Sequence, residues 1–428
     1  MVDRQPSRQA RDREAFFTAA YELLGERGPA GLTVAALCAR VGVSKGSFYH
    51  HFADMSDFLA AFAQRWRLRF VDLFDSLAAH TDLRRLLEAS ANSYTATMSP
   101  GVRAVLSWAR TNPVLADAAA GVFASLQALS TGCFAAMAGD EDTGAVIGPM
   151  VNSMAIGIQA RPQRFPPQRF LLWCSHMFRA MGAGNGILRV DGRPYLQVHS
   201  WRPLHPVSTS PTEVSRRLLH TESGALAPVW AELGGKHGVR GRYFSTAGEL
   251  LAEHGPGGLS VAAMVERLEL TKGSFHHHFG ALPTFVEELA AQWEQAQRDR
   301  LEGCLAERNA WRRLERLHAD LLTGPGMAET AWRAWAHSNT VVANAVRRVD
   351  DDRERALALT LRAILDTGDE NVLAEMTYGF ALGLHGWYPP LDPTLAARAS
   401  IEWMRLMVGI DAEVRNDSGV PMLALRAA

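Results

Sequence analysis

The chain has 428 residues, 47% of them hydrophobic and 21% charged, with a formal net charge of −1. At roughly 100–200 residues per domain, this length predicts two to four domains with ordinary globular cores. The balanced charge excludes a protein that is basic as a whole, so any affinity for nucleic acid must come from locally clustered cations.

Secretion, membrane insertion and a cysteine-based metal site are not expected. Residues 1–14 are polar and contain no apolar signal core. No uninterrupted apolar run approaches the length of about 18 residues that spans a membrane. The cysteines lack zinc-like spacing and are expected to be reduced. They are Cys38, Cys133, Cys174 and Cys304. We therefore expect a cytoplasmic protein without a membrane partner.

Three short helices are predicted at the start of the chain. The first spans Arg13 to Arg27, where apolar residues recur at helical spacing, and it ends at Gly28-Pro29. Thr33 can cap a second helix and Ser44 a third, because a Ser or Thr hydroxyl accepts a hydrogen bond from the first helical turn. Gly42 makes the turn between these two helices.

Longer helices are predicted next, and an irregular segment follows them. The long helices are Phe58–Leu77, Arg84–Met98, Val102–Arg110, Leu115–Met137, Ile147–Gln159 and Pro167–Met181. The segment from Gly182 to His237 is rich in Gly, Pro and Ser. Within it, Ile187–Val190 and Tyr195–Val198 flank Asp191-Gly192 and predict a small hairpin, although a linker without strands fits the same composition.

The whole pattern then begins again, because the chain contains an internal repeat. GPAGLTVAA at 28–36 recurs as GPGGLSVAA at 255–263, an offset of 227, the difference between 255 and 28. KGSF and HHF recur at the same offset. The second set of long helices is predicted at Leu282–Leu305, Ala310–Leu322, Met327–Ala336, Val341–Asp366, Val372–Leu384 and Pro393–Val408. Two copies of this length indicate a duplicated domain pair and not a solenoid.

Residues 33–52, TVAALCARVGVSKGSFYHHF, carry the functional signal. Phe48 and Phe52 are four residues apart and form an inward stripe, whereas Lys45 and Tyr49 form an outward one. Gly46 lets another backbone approach closely. The segment resembles the helix-turn-helix of the TetR family, with its capping Thr, Ala-rich helix, Gly-Val-Ser turn and Tyr-x-His-Phe ending.

The resemblance implies an all-α fold with two TetR-like units. Each unit would have a three-helix DNA-binding domain and a larger helical domain for ligand binding and dimerisation. The expected domains are 1–60, 61–182, a linker at 183–236, 237–287, 288–415 and a tail at 416–428. Because relatives of this family act as dimers, we expect the last two helices of the copies to pair as an intramolecular pseudo-dimer, with Gly157 and Gly383 allowing close approach. Separate dimerisation of whole chains is the alternative, and higher oligomers are left open.

The resemblance also implies which residues bind double-stranded operator DNA and a small-molecule effector. The DNA-binding candidates are Thr33, Ser44, Lys45, Gly46, Ser47, Tyr49, His50, Ser260, Thr271, Lys272, Gly273, Ser274, His276 and His277. The apolar pocket candidates are Trp108, Met137, Met154, Trp173, Trp332, Trp335, Phe380 and Trp387, which could equally be ordinary core residues. An N-terminal arm with Arg4, Arg8, Arg11 and Arg13 either contacts DNA or is a solvated tail.

The second copy departs from the family pattern. Glu269 replaces Gly42, in a turn where a positive φ is often needed, and His276 replaces Tyr49. The family usually has a Lys just after the motif, but here Met55 and Leu282 stand at that position. Acidic residues also surround the second motif, namely Glu249, Glu253, Glu266, Glu269, Glu287 and Glu288. We therefore expect this copy to bind DNA differently, or to support the first.

No cofactor, metal or catalytic site is expected. His276, His277 and His278 are consecutive in a helix, so their side chains point about 100° apart and cannot converge on one ion. The sequence contains no nucleophile elbow, phosphate loop or zinc-protease motif. We expect a DNA-binding repressor controlled by a ligand. The alternative is a ligand-sensing or protein-interaction module in which one or both helix-turn-helix units have lost DNA binding.

Overall fold

The computed structural model describes residues 8–78, 89, 99–138, 141–161, 173, 189–190, 193–194, 238–323, 327–365, 368 and 370–408. These residues are mainly helical and include one short two-stranded ladder. The prediction of an all-α fold is therefore confirmed. The predicted helices Arg84–Met98 and Pro167–Met181 lie outside the described residues, apart from Ala89 and Trp173.

The helices follow the predicted repeat. The first copy contains α1 (Arg8–Arg27), α2 (Val34–Val41), α3 (Lys45–His51), α4 (Met55–Ala78), α5 (Pro100–Ala109), α6 (Pro113–Ala138) and α7 (Glu141–Gln159). The second contains α8 (Gly238–His254), α9 (Val261–Arg267), α10 (Lys272–Phe279), α11 (Leu282–Leu305), α12 (Ala310–Thr323), α13 (Met327–Trp335), α14 (Thr340–Arg362), α15 (Glu370–Gly386) and α16 (Pro393–Val408). One 3₁₀ turn, Pro29–Gly31 or Pro256–Gly258, precedes α2 and α9.

Two helix bounds differ from the predicted ones for identifiable reasons. Helix α7 begins at Glu141 instead of Ile147, because Gly144 and Gly148 pack closely on the backbone of α6. Helix α14 ends at Arg362 and not at Asp366, since the N–H of Ala363 turns back to the carbonyl of Thr360 in a tight last turn.

A two-stranded antiparallel ladder lies in the segment between the copies. Strand β1 (Arg189–Val190) pairs with β2 (Arg193–Pro194), and Val190 faces Arg193. The first strand falls within the predicted Ile187–Val190. The second begins before the predicted Tyr195–Val198, which lies outside the described residues.

Each copy has its own core around its long central helix. In α4, large apolar side chains recur every three or four residues, so one continuous stripe faces inward. The stripe consists of Phe58, Phe62, Trp66, Phe70, Phe74 and Leu77, all buried. Each such side chain contributes about 1.5–3 kcal/mol when fully buried. In α11 the stripe repeats, but Gln297 stands where Phe70 stands in α4.

A third core joins the two copies. It combines residues of α7 with residues of α11, α12, α14, α15 and α16, and it includes Trp173. Where α7 crosses α15, a Cβ at Gly157 would overlap the carbonyl of Gly379, and a Cβ at Gly383 would overlap that of Ser153. We call this contact of α7 with α15 and α16 the seam.

Polar contacts reinforce the seam. The indole N–H of Trp387 donates to the hydroxyl of Ser153 at 2.9 Å, and Arg398 donates to Asp142 at 2.8 Å. Arg161, buried at the end of α7, forms an ion pair with Glu354 of α14. The two copies are therefore joined by both apolar packing and specific hydrogen bonds.

One helix meets a membrane-span criterion that the sequence was not expected to meet. Residues Pro113–Ala135 of α6 are long and apolar enough to cross a membrane by length and composition alone. In this fold α6 packs against α4, α5 and α7. Of the apolar window in this helix, 33% is buried within the fold.

Candidate nucleic-acid interface

Helices α2 and α3 are joined by a tight turn that capping and one glycine define. The hydroxyl of Thr33 accepts a hydrogen bond from the N–H of Ala36 at 3.2 Å, which caps α2. That of Ser44 accepts from the N–H of Ser47 at 3.4 Å, which caps α3. Gly42 has φ 79°, in the left-handed region that favours glycine. The predicted caps are therefore present.

Aromatic packing fixes α3 on the domain. Phe48 and Phe52 are 0% and 1% exposed. The ring of Phe16 in α1 meets both of them edge-on, at centroid distances of 5.6 and 5.9 Å. Phe58 of α4 packs on the other side of Phe48, at 5.7 Å. Since this face is buried, α3 can turn only its opposite face outward.

The outward face of α3 is polar and open. Lys45, Gly46 and His50 are exposed, and Tyr49 is 55% exposed despite its large ring. Its neighbours Thr33 and Ser44 are exposed as well, and Ser47 is half-buried. Each capping hydroxyl accepts from the backbone and retains its own proton to donate. The surface thus offers hydrogen-bond donors without acidic side chains.

The second copy builds the same unit. The hydroxyls of Ser260 and Thr271 cap α9 and α10, by accepting from Ala263 at 3.1 Å and Ser274 at 3.2 Å. Phe275 and Phe279 are buried in α10. The remaining candidates are on or near its outer face. Lys272, Gly273, His276 and His277 are exposed, whereas Ser260 and Ser274 are half-buried.

Glu269 adopts the backbone conformation that Gly42 adopts in the first copy. Its φ is 55°, and it is the one non-glycine residue with a positive φ in the described part of the chain. A left-handed conformation costs a non-glycine residue roughly 1–2 kcal/mol. The turn is nevertheless kept, because the N–H of Leu270 donates to the carbonyl of Val265 at 2.8 Å.

His276 differs from Tyr49 in its contacts as well as in its chemistry. Its Nδ1 lies 2.6 Å from the carbonyl oxygen of Gly280, at the end of the same helix. This contact holds the ring against its own backbone. The outer face of α10 therefore lacks the freely extended phenol of α3.

In each copy, an arginine of the second helix forms a salt bridge with the first helix. Arg40 of α2 donates to Glu22 at 2.8 Å and to Glu26 at 2.6 Å, both in α1. Arg267 and Glu253 repeat the contact at 2.6 Å. The hydrogen bond from Arg40 lowers the pKa of Glu26 below its usual value. Part of the acidic charge near the second motif is thus paired.

The residues at the positions where the TetR family usually has a Lys contribute to the hydrophobic cores. Met55 and Leu282, at the starts of α4 and α11, are half-buried and pack on the cores of their copies. Arg13, which was expected in an N-terminal arm, lies within α1, and its guanidinium carbon stacks 4.9 Å from the ring centroid of Phe52. The side chains of Arg4, Arg8 and Arg11 lie outside the described residues.

The three consecutive histidines do not form a cluster. Within the described residues there is no group of three or more His, Cys, Asp or Glu side chains arranged to hold a metal ion. His276 contacts Gly280, His277 is exposed, and His278 packs on the ring of Tyr243 at 6.4 Å.

The predicted pocket residues are spread over several cores. Met154, Trp173 and Phe380 belong to the core shared by the copies. Trp332 is buried in the core of the second copy, and half-buried Trp335 packs beside it. Trp108 packs on the core of the first copy. Trp387 is 2% exposed and lies at the seam. The side chain of Met137 lies outside the described residues.

A cavity of about 150 Å³ opens between the copies. Its walls come from α5, α6 and α7 on one side and from α13, α15 and the residues after α15 on the other. They are Arg103, Leu106, Ser107, Arg110, Val122, Phe123, Leu126, Ile156, Ala160, Thr330, Arg333, Ala334, His337, Leu382, His385, Gly386 and Tyr388. None of the seven predicted pocket residues whose side chains the structure describes is among them.

A buried ionic network lies next to this cavity, and sequence reasoning did not find it. Glu329 accepts hydrogen bonds from Arg333 at 2.9 Å and Arg353 at 3.0 Å, and Tyr378 donates to Asp350 at 2.5 Å. Burial opposes ionisation of Glu329, but Arg353 and Arg333 together lower its pKa to about 2. Its signal in the sequence was the Glu329–Arg333 spacing of four residues in an otherwise apolar helix.

Comparison with known families adds to this geometry. The family model described as "Bacterial regulatory proteins, tetR family" matches residues 16–62 and again residues 244–281. These segments contain α2–α3 and α9–α10, with most of the helix that precedes each pair. A search of curated proteins finds no match to this chain.

Two solved structures are similar to parts of this chain. A protein titled a transcriptional regulator from Pseudomonas aeruginosa PAO1 is 18% identical, covers 42% of this chain and 94% of its own, and has a TM-score of 0.36. The multidrug binding protein EbrR, complexed with imidazole, is 22% identical, covers 39% of this chain and 92% of its own, and has a TM-score of 0.28.

Proposed function

We propose that this chain, whose residues 16–62 and 244–281 match the family model of TetR-type bacterial regulatory proteins, is a DNA-binding transcription repressor that a small molecule releases from its operator. On this proposal it acts in the cytoplasm, by binding alone and without catalysis. Its two units contact two operator half-sites, which differ because the units differ.

The observation that carries the proposal is the orientation of α3. Its two phenylalanines are buried, so Lys45, Gly46 and Tyr49 face outward together. A recognition helix in this orientation can enter the major groove while Lys and Tyr contact phosphates. We propose that Thr33, Ser44, Ser47 and His50 add hydrogen bonds around them.

The contacts at the seam support an intramolecular pseudo-dimer. Gly157 and Gly383 are equivalent positions, at an offset of 226 because the register of the repeat shifts by one residue in this region. Each packs on the residue equivalent to the other's contact: Gly157 on Gly379, and Gly383 on Ser153. Such reciprocity is typical of a two-fold interface. Two copies joined in one chain also have a high effective concentration relative to each other. We propose that one chain places its two recognition helices about 34–36 Å apart, in successive major grooves.

Effector control is supported by the position of α5. This helix lines the cavity with Arg103, Leu106, Ser107 and Arg110. At its other end, a Cβ on Gly101 would overlap the carbonyl of Tyr21, so α5 is packed tightly on α1 of the DNA-binding domain. A ligand that displaces α5 would therefore displace α1 and shift the population of DNA-binding states.

Gel-shift titration of the purified chain on the DNA upstream of its own gene tests the proposal. The double variant Lys45→Ala, Tyr49→Ala should lose most of its affinity for DNA, because two outward contacts are lost and the core is untouched. Arg347→Ala, at an exposed position on α14, is the control and should bind normally. Unchanged affinity in the double variant would contradict DNA recognition by α3.

A different role for the second unit is favoured by Glu269 and His276. One adds an acidic side chain to the turn, and the other is held on the carbonyl of Gly280. A unit of this kind could support the first or bind a protein partner. The matched double variant of the second unit, Lys272→Ala, His276→Ala, decides between these roles in the same gel-shift titration. A loss of affinity comparable to that of the Lys45 pair means that both units bind DNA, and no loss means that only the first does.

A further inference from the structure

The cavity at the seam is built from equivalent positions of the two copies. Arg103, Leu106, Ser107 and Arg110 of α5 correspond, at the offset of 227, to Thr330, Arg333, Ala334 and His337 at the other wall. Ile156 and Leu382 form a further pair at the crossing. In a dimer of identical chains these walls would be identical. Here every α5 residue faces a partner of different chemistry, so the cavity has two unlike ends.

Part of the first copy's wall is apolar, because that copy lacks the buried network of the second. Leu106, Phe123 and Leu126 line the cavity, and their equivalents are Arg333, Asp350 and Arg353. An apolar surface in a concave site favours the hydrocarbon part of a ligand. The lining includes arginines and histidines but no Asp or Glu.

Arg110 supplies a cation with no carboxylate beside it. Its guanidinium donates to the backbone carbonyl oxygens of His385 and Gly386, at 3.1 and 3.2 Å. Burial lowers the pKa of Arg110, and among the described residues no Asp or Glu forms an ion pair with it. Arg333 differs, since Glu329 and Asp350 neutralise it. A buried charge is stabilised strongly by an opposite charge that hydrogen-bonds to it.

We propose that the seam cavity binds one organic anion per chain, with its carboxylate at Arg110 and its apolar body against Leu106, Phe123 and Leu126. The proposal deepens the effector role proposed above. The volume of about 150 Å³ is below the roughly 300–1,000 Å³ of sites for drug-sized ligands, so the ligand is small. A guanidinium pairs well with a carboxylate, because its planar donors match the two oxygens.

Calorimetric titration of the full chain with octanoate, and with octanol as the neutral analogue, tests the site. Wild type should bind one octanoate per chain and octanol more weakly. Arg110→Gln should weaken octanoate binding roughly tenfold or more, the loss expected for a charge-assisted hydrogen bond, with little change for octanol. Ala334→Phe should block both, because Ala334 lines the cavity. Arg347→Gln, on the surface of α14, should change neither.

Circular dichroism and gel shift without ligand show that each variant is folded, independently of anion binding. No saturable binding of octanoate to the wild type overturns the site, and so does unweakened octanoate binding by Arg110→Gln. If octanoate binds as expected but leaves the affinity for DNA unchanged, the anion site stands and the effector role fails. If octanoate binds and no DNA does, the regulator proposal fails separately.

Discussion

Gly157 of the first copy packs directly against the backbone of Gly383 of the second, where α7 crosses α15. The two glycines occupy equivalent positions of the repeat. Neither leaves space for a Cβ, so the helix axes can approach each other closely. This contact makes the two copies one structural unit, and it is open to a simple test.

Gly157→Ala and Gly383→Ala should each destabilise the protein by about 1–3 kcal/mol, the usual cost of overpacking a tight contact. Denaturant titration followed by circular dichroism measures the loss. The control is Gly303→Ala, in the last turn of α11, where a Cβ would meet nothing within 4 Å. It should stabilise by about 0.5–1 kcal/mol, because Ala is the better helix former. Equal effects at all three positions would contradict the close crossing.

Glu269→Gly should stabilise the second DNA-binding domain by about 1 kcal/mol, since glycine adopts a positive φ without a steric penalty. The reverse experiment, Gly42→Ala, should destabilise the first domain by a similar amount. Thermal unfolding of the two variants measures both changes. Glu266→Gly, inside α9, should be destabilising and shows that the gain at Glu269 depends on the turn. A loss of stability in Glu269→Gly would contradict the strained turn.

His318 should make the protein sensitive to mild acid. It is fully buried in α12, and burial lowers its pKa to about 4. The neutral ring is therefore favoured in the folded state. Stability is fully present above the unfolded-state pKa near 6.5 and falls as the pH drops from about 6.5 to about 4, by about 3 kcal/mol in total.

His318→Leu should flatten this dependence between pH 6.5 and 4. The free energy of unfolding is measured by urea titration at several pH values in this window. The control is His254→Leu, which changes a side chain that is 57% exposed. This variant should show the same pH dependence of the free energy of unfolding as the wild type. A His318 variant that keeps the full acid sensitivity would assign the effect to other groups.

The buried network should tolerate complete removal better than partial removal. Glu329→Gln removes the negative charge that two buried guanidiniums share, and it should lower the free energy of unfolding by about 3–5 kcal/mol. The residues at the equivalent positions of the first copy are Val102, Leu106, Phe123 and Leu126. A quadruple variant with those residues, Glu329→Val, Arg333→Leu, Asp350→Phe and Arg353→Leu, should therefore lose less stability than the single variant.

Urea titration of the two network variants provides the comparison, with Glu302→Gln, exposed on α11, as the control for a lost surface charge. A quadruple variant less stable than Glu329→Gln would show that the network itself stabilises the fold.

The local features of the fold could be predicted from the sequence because they depend on neighbouring residues. Thr33 and Ser44 cap their helices as expected, and the replacement of Gly42 predicted the unusual backbone of Glu269. Capping and turn conformation need only a few adjacent positions. The offset of 227 between the copies likewise predicted which helices correspond.

The cavity and its charges could not be predicted in the same way. Arg110 and its acceptors His385 and Gly386 are far apart in the chain, and only the packing of the copies brings them together. Arg353 gave no sign that it was buried, because a charged residue in a helix is usually solvent-exposed. Large apolar residues such as Trp332 were candidates for a pocket, but ordinary core packing is the more frequent role for them.

The most direct measurement is selection of bound fragments from random DNA, with the mass of the complex determined in solution. One chain per duplex should be found, on a site with two different half-sites whose centres are about 10 bp apart. In the Lys45→Ala, Tyr49→Ala variant, only one of the half-sites should lose its enrichment. Two chains on a perfect inverted repeat, or no enrichment of any sequence, would contradict a single chain that supplies both recognition helices.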